Sequence, residues 1–149
     1  MTLIVICVAA LALALIVGSR IKRSRERREL ERHCIGPETL HDLLNGKPPV
    51  LLFDVRQPLD LLAKSEMIPG AKRIPPKDIL ENPALIPREQ DTVVYCTCPG
   101  EKTSRDVLRH ALGLHYSRLR LLRGGLEGWK AKGYPVEPYR ESFRLDTPA

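Results

Sequence analysis

Hydrophobic and polar positions fall into three regimes along the chain. Leu3 to Val17 (LIVICVAALALALIV) is an unbroken apolar run, Arg20 to Arg32 is densely charged, and beyond Cys34 short apolar runs alternate with segments of helical period. Residues 1–18 as one helix span about 27 Å, close to a hydrocarbon core of roughly 30 Å. No Lys or Arg precedes the run, the basic cluster follows it directly, and no small-residue cleavage site separates the two. That pattern reads as a retained transmembrane anchor over 1–18 rather than a cleaved secretory signal. Positive flanks stay on the cytoplasmic side, so the expected protein is single-pass in the inner cell membrane, with its C-terminal domain in the cytoplasm. Residues 19–33 become a basic juxtamembrane linker, solvated or drawn to anionic headgroups of the lipid bilayer.

The rest of the chain predicts alternating helices and strands. Pro37 to Leu44 is a short helix with Leu40, Leu43 and Leu44 on one face, stopped at Asn45-Gly46. Val50 to Val55 is a buried strand that delivers Asp54 and Arg56 to a rim. Pro58 to Glu66 reads as a helical turn or two, Ile68 to Ala71 as a tight turn, and Arg73-Ile74 as a short strand. A brief helix over Pro76 to Asn82 follows, and Asp91 to Cys96 is the clearest strand of the chain. A loop then leads into a helix with Val107, Leu108, Ala111 and Leu112 at core spacing. Arg118 to Leu122 alternates as a strand, Gly124-Gly125 turns, Leu126 to Lys132 is a last helix, and 140–149 is a tail. The fold class is therefore α/β, with a mainly parallel sheet.

Composition narrows the function. A chain of 149 residues suits one domain plus an appendage, and with 5% aromatics the core must be aliphatic. Of the net charge of +6, residues 20–33 carry +4. The excess is a local block, which argues against a nucleic-acid-binding domain. Cys7, Cys34, Cys96 and Cys98 form no disulfide framework, so any cysteine chemistry comes from thiolates or metal.

In open α/β sheets ligands sit beyond the carboxyl ends of strands, where helix starts point N–H groups outward. Here that place reads Tyr95-Cys96-Thr97-Cys98-Pro99-Gly100-Glu101-Lys102-Thr103-Ser104-Arg105. Thr103 is placed to cap the following helix, with Asp106 answering three residues on. A cysteine facing such a helix start is favoured as thiolate, and Lys102 and Arg105 add positive charge. The alternative is a small buried strand residue beside a loop thiol.

From Cys34 to Tyr139 the sequence resembles the rhodanese-like domain family. Ile35-Gly-Pro-Glu-Thr-Leu-His resembles its opening helix. Leu52-Phe53-Asp54-Val55-Arg56 with Ile68-Pro69-Gly70-Ala71 resembles its Asp-x-Arg strand and His-Ile-Pro-Gly-Ala turn, Met67 replacing the His. Val93-Val94-Tyr95-Cys96 resembles the strand with the active cysteine. Gly124-Gly125-Leu126-Glu127-Gly128-Trp129 and Gly133-Tyr134-Pro135-Val136 resemble the closing signature. The resemblance implies a rhodanese-like domain over 34–139, a parallel sheet flanked by helices and preceded by one transmembrane helix. It also implies a sulfurtransferase that moves sulfane sulfur from a donor such as thiosulfate to a thiol or cyanide-type acceptor through a cysteine persulfide. Cys96 is then the nucleophile, and Cys98 its rival or a resolving thiol. The backbone around Thr97, Gly100, Glu101, Lys102, Thr103 and Ser104 forms the cradle, Lys102 or Arg105 meets the donor, and Asp54 and Arg56 support the loop. No cofactor or metal is implied, and the partners are a small sulfur-containing substrate or a protein thiol.

Several departures and rivals stand beside this. Thr97 and Glu101 occupy places where the family loop carries Arg, Glu101 repels a dianionic donor, and the loop is about two residues longer when counted from Cys96. A phosphatase of related fold needs Arg six residues after its cysteine; that place holds Lys102 counted from Cys96 and Ser104 counted from Cys98. A zinc site from His33, Cys34, Cys96 and Cys98 matches no strong spacing. His41, His110 and His115 read as helix-surface or helix-end residues. The main competitor to an enzyme is a catalytically silent rhodanese-fold binding module tethered to the membrane.

Overall fold

The computed structural model describes residues 2–97 and 99–140, the side chains of 2–9 and 99 excepted. The chain divides into two units, residues 1–32 and 33–149.

The first unit is one helix, α1 (Thr2–Arg32), of 31 residues. It runs without a break from the apolar segment into the basic one. Its polar half is exposed, Arg20 through Glu29 included. Among the described residues no helix is long and apolar enough to cross a membrane. Much of the apolar run expected to anchor the chain falls on side chains outside the described ones.

The second unit is a five-stranded parallel sheet. Its strands are β1 (Cys34–Ile35), β2 (Leu51–Asp54), β4 (Lys72–Arg73), β5 (Thr92–Tyr95) and β6 (Leu119–Leu122), in the order β1-β6-β5-β2-β4. Parallel neighbours need crossovers, and the helices supply them: α2 (Pro37–Leu44), α3 (Pro58–Ala63), α4 (Pro76–Glu81), α5 (Lys102–Gly113) and α6 (Gly125–Ala131). The helix α2 starts where Gly36 stays extended and Pro37 presets the first helical φ. It ends at Asn45, whose N–H donates to the carbonyl of His41.

The two faces follow the period of two along β5. Val93 and Tyr95 join Leu40 of α2, Leu52, Leu122, and Leu126 and Trp129 of α6 in one buried cluster. Val94 points the other way, where α5 packs on β5 and β6 and buries Val107, Leu108 and Ala111. Both valines are fully buried, each contributing about 1.5–3 kcal/mol of transfer free energy. Sheets covered on both faces need apolar strands, and β5 shows that pattern.

Three features go beyond the sequence expectations. Cys34–Ile35 is an edge strand paired with Leu121–Leu122. Glu66–Met67 (β3) leaves the expected helical segment and pairs antiparallel with Glu137–Pro138 (β7). A 3-10 turn at Pro83–Leu85 follows α4. The β3–β7 ribbon ties the end of the domain to its middle, helped by the Tyr139 N–H donating to the Ser65 carbonyl at 2.6 Å. Trp129 Nε1 donates to the Pro135 carbonyl at 2.8 Å, and Tyr134 stacks between Trp129 and His41 with ring centroids 4.7 and 4.5 Å away. The closing Trp and Gly-Tyr-Pro segments thus pack as one unit. Apart from Arg140, the expected tail lies outside the described residues.

Candidate active site

Cys96 is the first residue after β5, in the middle of the sheet and at its carboxyl edge. The strand's alternation turns its side chain toward α5. The residue is 1% exposed, and its Sγ lies 3.1 Å from the Oγ of Ser104, which is itself fully buried in the first turn of that helix. Ser104 Oγ also donates to the Glu101 carbonyl at 3.1 Å. A hydroxyl in that place accepts from a thiol and rotates to donate to a thiolate.

The main chain of Cys96 is held as firmly as its side chain. Its carbonyl accepts the Leu126 N–H at 3.2 Å, at the first turn of α6. Gly124 and Gly125 take left-handed φ values of 77° and 52°, and a β-carbon on Gly125 would lie 1.9 Å from the Cys96 oxygen. Only glycine permits that approach.

Between Cys96 and α5 the loop passes through a 3-10 turn at Pro99–Glu101. Gly100 and Glu101 are both left-handed, at φ 65° and 56°. For Glu101 this conformation costs roughly 1–2 kcal/mol. Its carboxylate offsets that cost: Oε1 accepts the Gly124 N–H and Oε2 pairs with Arg105 Nη2 at 3.2 Å. The two left-handed residues bring the chain into the helix at Lys102, so Glu101 and not Thr103 holds the N-cap position. Thr103 falls inside the first turn. Asp106, expected to reach back to it, pairs with Lys102 Nζ at 2.7 Å and Arg109 Nη1 at 2.8 Å. The hydrogen bond from Lys102 holds the Asp106 carboxyl below its ordinary range, and that from Arg109 adds to the effect.

The structure therefore gathers Cys96, Gly100, Glu101, Ser104 and Arg105 around one loop, with Thr97 half-buried at its start. Lys102 is placed at the surface, with its side chain 81% exposed. Cys98, the rival nucleophile, lies outside the described residues. Glu101 also serves as a strut between the loop and the Gly124-Gly125 turn, and Arg105 is engaged with it.

Asp54 and Arg56 are both fully buried and form a fork, with Arg56 Nε 2.9 and 2.8 Å from the two carboxylate oxygens and Nη2 2.5 Å from Oδ2. The remaining guanidinium donors reach the carbonyls of Lys64 (2.7 Å) and Glu66 (2.9 Å). Tyr95, which no sequence pattern singled out, donates its hydroxyl to Asp54 at 3.1 Å and accepts the Ile68 N–H at 3.2 Å. Burial, reinforced by the Asp54 charge, pushes the Tyr95 phenol far up. These bonds tie the carboxyl ends of β2 and β5 to residues 64–68. The pair supports the strand that carries Cys96 and makes no hydrogen bond to the described residues of 97–105.

His33, His41 and Cys34 lie in other contacts. His33 Nδ1 is 3.1 Å from the Leu119 carbonyl, and His41 stacks on Tyr134. Among the described residues no group of three or more His, Cys, Asp or Glu could hold a metal ion.

A parallel sheet covered on both faces, with a buried cysteine at the carboxyl end of its central strand and a double-glycine turn pressed on that cysteine's main chain, defines a thiol-centred α/β domain. The chain belongs to the rhodanese-like domain family, whose model matches residues 36–132. It is 31% identical over 102 residues to a sulfurtransferase of Allochromatium vinosum, covering 68% of this chain and 92% of that protein. Among solved structures, a full-length protein from Lactobacillus plantarum superposes with a TM-score of 0.65 at 27% identity, over 80% of this chain and 98% of its own. The rhodanese-like domain of an Anabaena protein gives 0.60 at 24% identity, over 78% and 85%, a likeness of fold alone.

Proposed function

We propose that this protein is a sulfurtransferase working through a persulfide on Cys96. The single observation that carries the reading is the placement of Cys96: at the carboxyl end of the central strand, its Sγ 3.1 Å from a buried hydroxyl on the first turn of α5. The 31% identical sulfurtransferase supports it.

In the first half-reaction the Cys96 thiolate attacks the outer sulfur of a sulfane donor such as thiosulfate. The donor S–S bond breaks, sulfite leaves with the electron pair, and Cys96–S–S⁻ remains. In the second, an acceptor thiolate or cyanide attacks the terminal sulfur and Cys96 leaves as thiolate. No external oxidant or reductant is consumed. Ser104 Oγ, 3.1 Å away, turns its hydroxyl to donate to the sulfur when the sulfur is anionic, and the start of α5 at Lys102 adds its dipole. Cys98 is the alternative nucleophile, or a thiol that resolves the persulfide.

The test is intact mass after incubation with thiosulfate, polysulfide or a persulfide. Gain of one sulfur atom, lost in Cys96→Ser, is the expected result. Gain retained in Cys96→Ser but lost in Cys98→Ser moves the role to Cys98. No gain from any donor favours a silent binding module, a reading that the near-complete burial of Cys96 and the pairing of Arg105 with Glu101 also support.

The apolar run at Leu3–Val17 and the basic flank after it support membrane tethering, with the domain on the cytoplasmic side. Protease treatment of sealed right-side-out vesicles is expected to spare the domain. Digestion from the outer face overturns that topology.

A further inference from the structure

A closed circuit of contacts surrounds Cys96. Its Sγ meets Ser104 Oγ, that hydroxyl donates to the Glu101 carbonyl, Glu101 Oε1 accepts the Gly124 N–H, and Leu126, two residues on, donates to the Cys96 carbonyl. Glu101 is the member of this circuit with a formal charge. Its side chain is 13% exposed and that of its partner Arg105 24% exposed, so the pair sits partly sheltered from solvent. Lys102, the other cation of the loop, points outward to Asp106. The residue whose carbonyl meets the Ser104 hydroxyl therefore also brings a carboxylate to this loop, paired with Arg105.

Resting on the sulfurtransferase reading, we infer that Glu101 positions the loop and selects the donor, favouring sulfane sulfur of low charge, a persulfide, over the dianion thiosulfate. A dianion entering beside Cys96 meets the Glu101 carboxylate and finds Arg105 already paired. A persulfide R–S–S–H brings at most one charge at the reacting end and meets far less repulsion. The chemistry balances. The Cys96 thiolate attacks the outer sulfur, the donor S–S bond breaks, the thiol R–SH leaves with the proton, and Cys96–S–S⁻ remains.

Glu101→Gln tests this, because the amide oxygen still accepts the Gly124 N–H while the charge goes. With thiosulfate and the persulfide of 2-mercaptoethanol as donors, the ratio of kcat/KM for thiosulfate to that for the persulfide is expected to rise roughly tenfold. An unchanged ratio overturns the inference. Glu101→Ala, which removes the strut as well, is expected to slow both donors together; full persulfide activity in that variant overturns the positioning role. Should Glu101→Gln fail to fold, salt carries the same test. Added salt is expected to improve wild-type thiosulfate use relative to persulfide, and a flat ratio overturns the inference.

Failure of the sulfurtransferase reading shows separately, as no sulfur gained from either donor by wild type or variant. The charge claim is then read by calorimetry with thiosulfate on Cys96→Ser protein with and without Glu101→Gln. Roughly tenfold tighter binding without the carboxylate sustains it, and equal affinity overturns it.

Discussion

Gly125 lies so close to Cys96 that a β-carbon would come within 1.9 Å of the cysteine's carbonyl oxygen. The sulfur is held by α5, but the main chain beneath it is held by the start of α6. Gly125→Ala adds a left-handed penalty of roughly 1–2 kcal/mol to a backbone collision. The collision cannot be relieved by a side-chain rotation, since the obstructing atom is main chain. Denaturant unfolding is expected to show a loss of at least about 3 kcal/mol, with sulfur uptake by Cys96 abolished in whatever fraction remains folded. Near-wild-type stability in that variant contradicts the packing described.

Ser104→Ala separates positioning from folding. The residue is buried and small, so its loss leaves little cavity, but the sulfur loses a hydroxyl 3.1 Å away that can turn to donate to the thiolate. Hydrogen bonds to charged groups are worth about 1.5–3 kcal/mol, so the midpoint of Cys96 alkylation against pH is expected to move up by at least about one unit. Ser104→Thr keeps the hydroxyl and is expected to restore part of the shift. An unmoved midpoint in Ser104→Ala removes the hydroxyl from the mechanism.

The Asp54–Arg56 fork predicts a different signature. Both side chains are fully buried, so removing one strands the other. Asp54→Ala is expected to cost about 3–5 kcal/mol, whereas the double replacement Asp54→Leu with Arg56→Met recovers most of that loss. Tyr95→Phe, which leaves the Ile68 N–H without its acceptor, is expected to cost about 1–3 kcal/mol. Urea unfolding of the four proteins checks the series. A loss in the double variant as large as that in Asp54→Ala contradicts a coupled pair.

How much of this could be read from the chain depends on the range of the interaction. Val93-Val94-Tyr95 announced β5 because a run of buried apolar residues bounded by polar ones is a local property. The helix face of Val107, Leu108 and Ala111 was legible for the same reason. Cys34–Ile35 was not, since a two-residue strand has no period and exists only because β6 offers it an edge. The Glu66–Met67 pairing with Glu137–Pro138 joins segments some seventy residues apart, beyond any local pattern. At the site, the order of motifs pointed to Cys96. The start of α5 was misread at Thr103, because capping patterns assume an extended residue before the helix, and two left-handed residues stand there instead. Glu101 read as an isolated charge, because its partners Gly124 and Arg105 meet it only in the fold. Tyr95 read as core, and its hydroxyl became visible only once Asp54 lay beside it on β2.

Surface pairs contribute to the acid limb of stability. Hydrogen bonds from Lys132, Arg118, Lys102 and Lys64 hold the carboxyls of Glu38, Asp91, Asp106 and Glu127, respectively, below their ordinary values of 4.5 for Glu and 3.8 for Asp. A carboxyl depressed in the folded state binds fewer protons there than in the unfolded chain, so stability rises with pH through this region. The contribution is complete above the ordinary values and is lost as pH falls through the lowered ones. Lys130 and Lys132 are raised above 10.5 by their partners Glu66 and Glu38, so their share is present at neutral pH and lost only as pH climbs past that value. The melting temperature is therefore expected to stay level from about pH 5 to pH 9 as far as these pairs are concerned, and to fall below about pH 4. Because the groups are mostly exposed, raised salt is expected to shrink the acid limb. Asp106 sits on the helix that carries Ser104, so Asp106→Asn is expected to shrink that limb by its own share, and an unchanged acid limb in that variant, read from melting temperature against pH at low salt, removes the Lys102–Asp106–Arg109 cluster from the account of acid sensitivity.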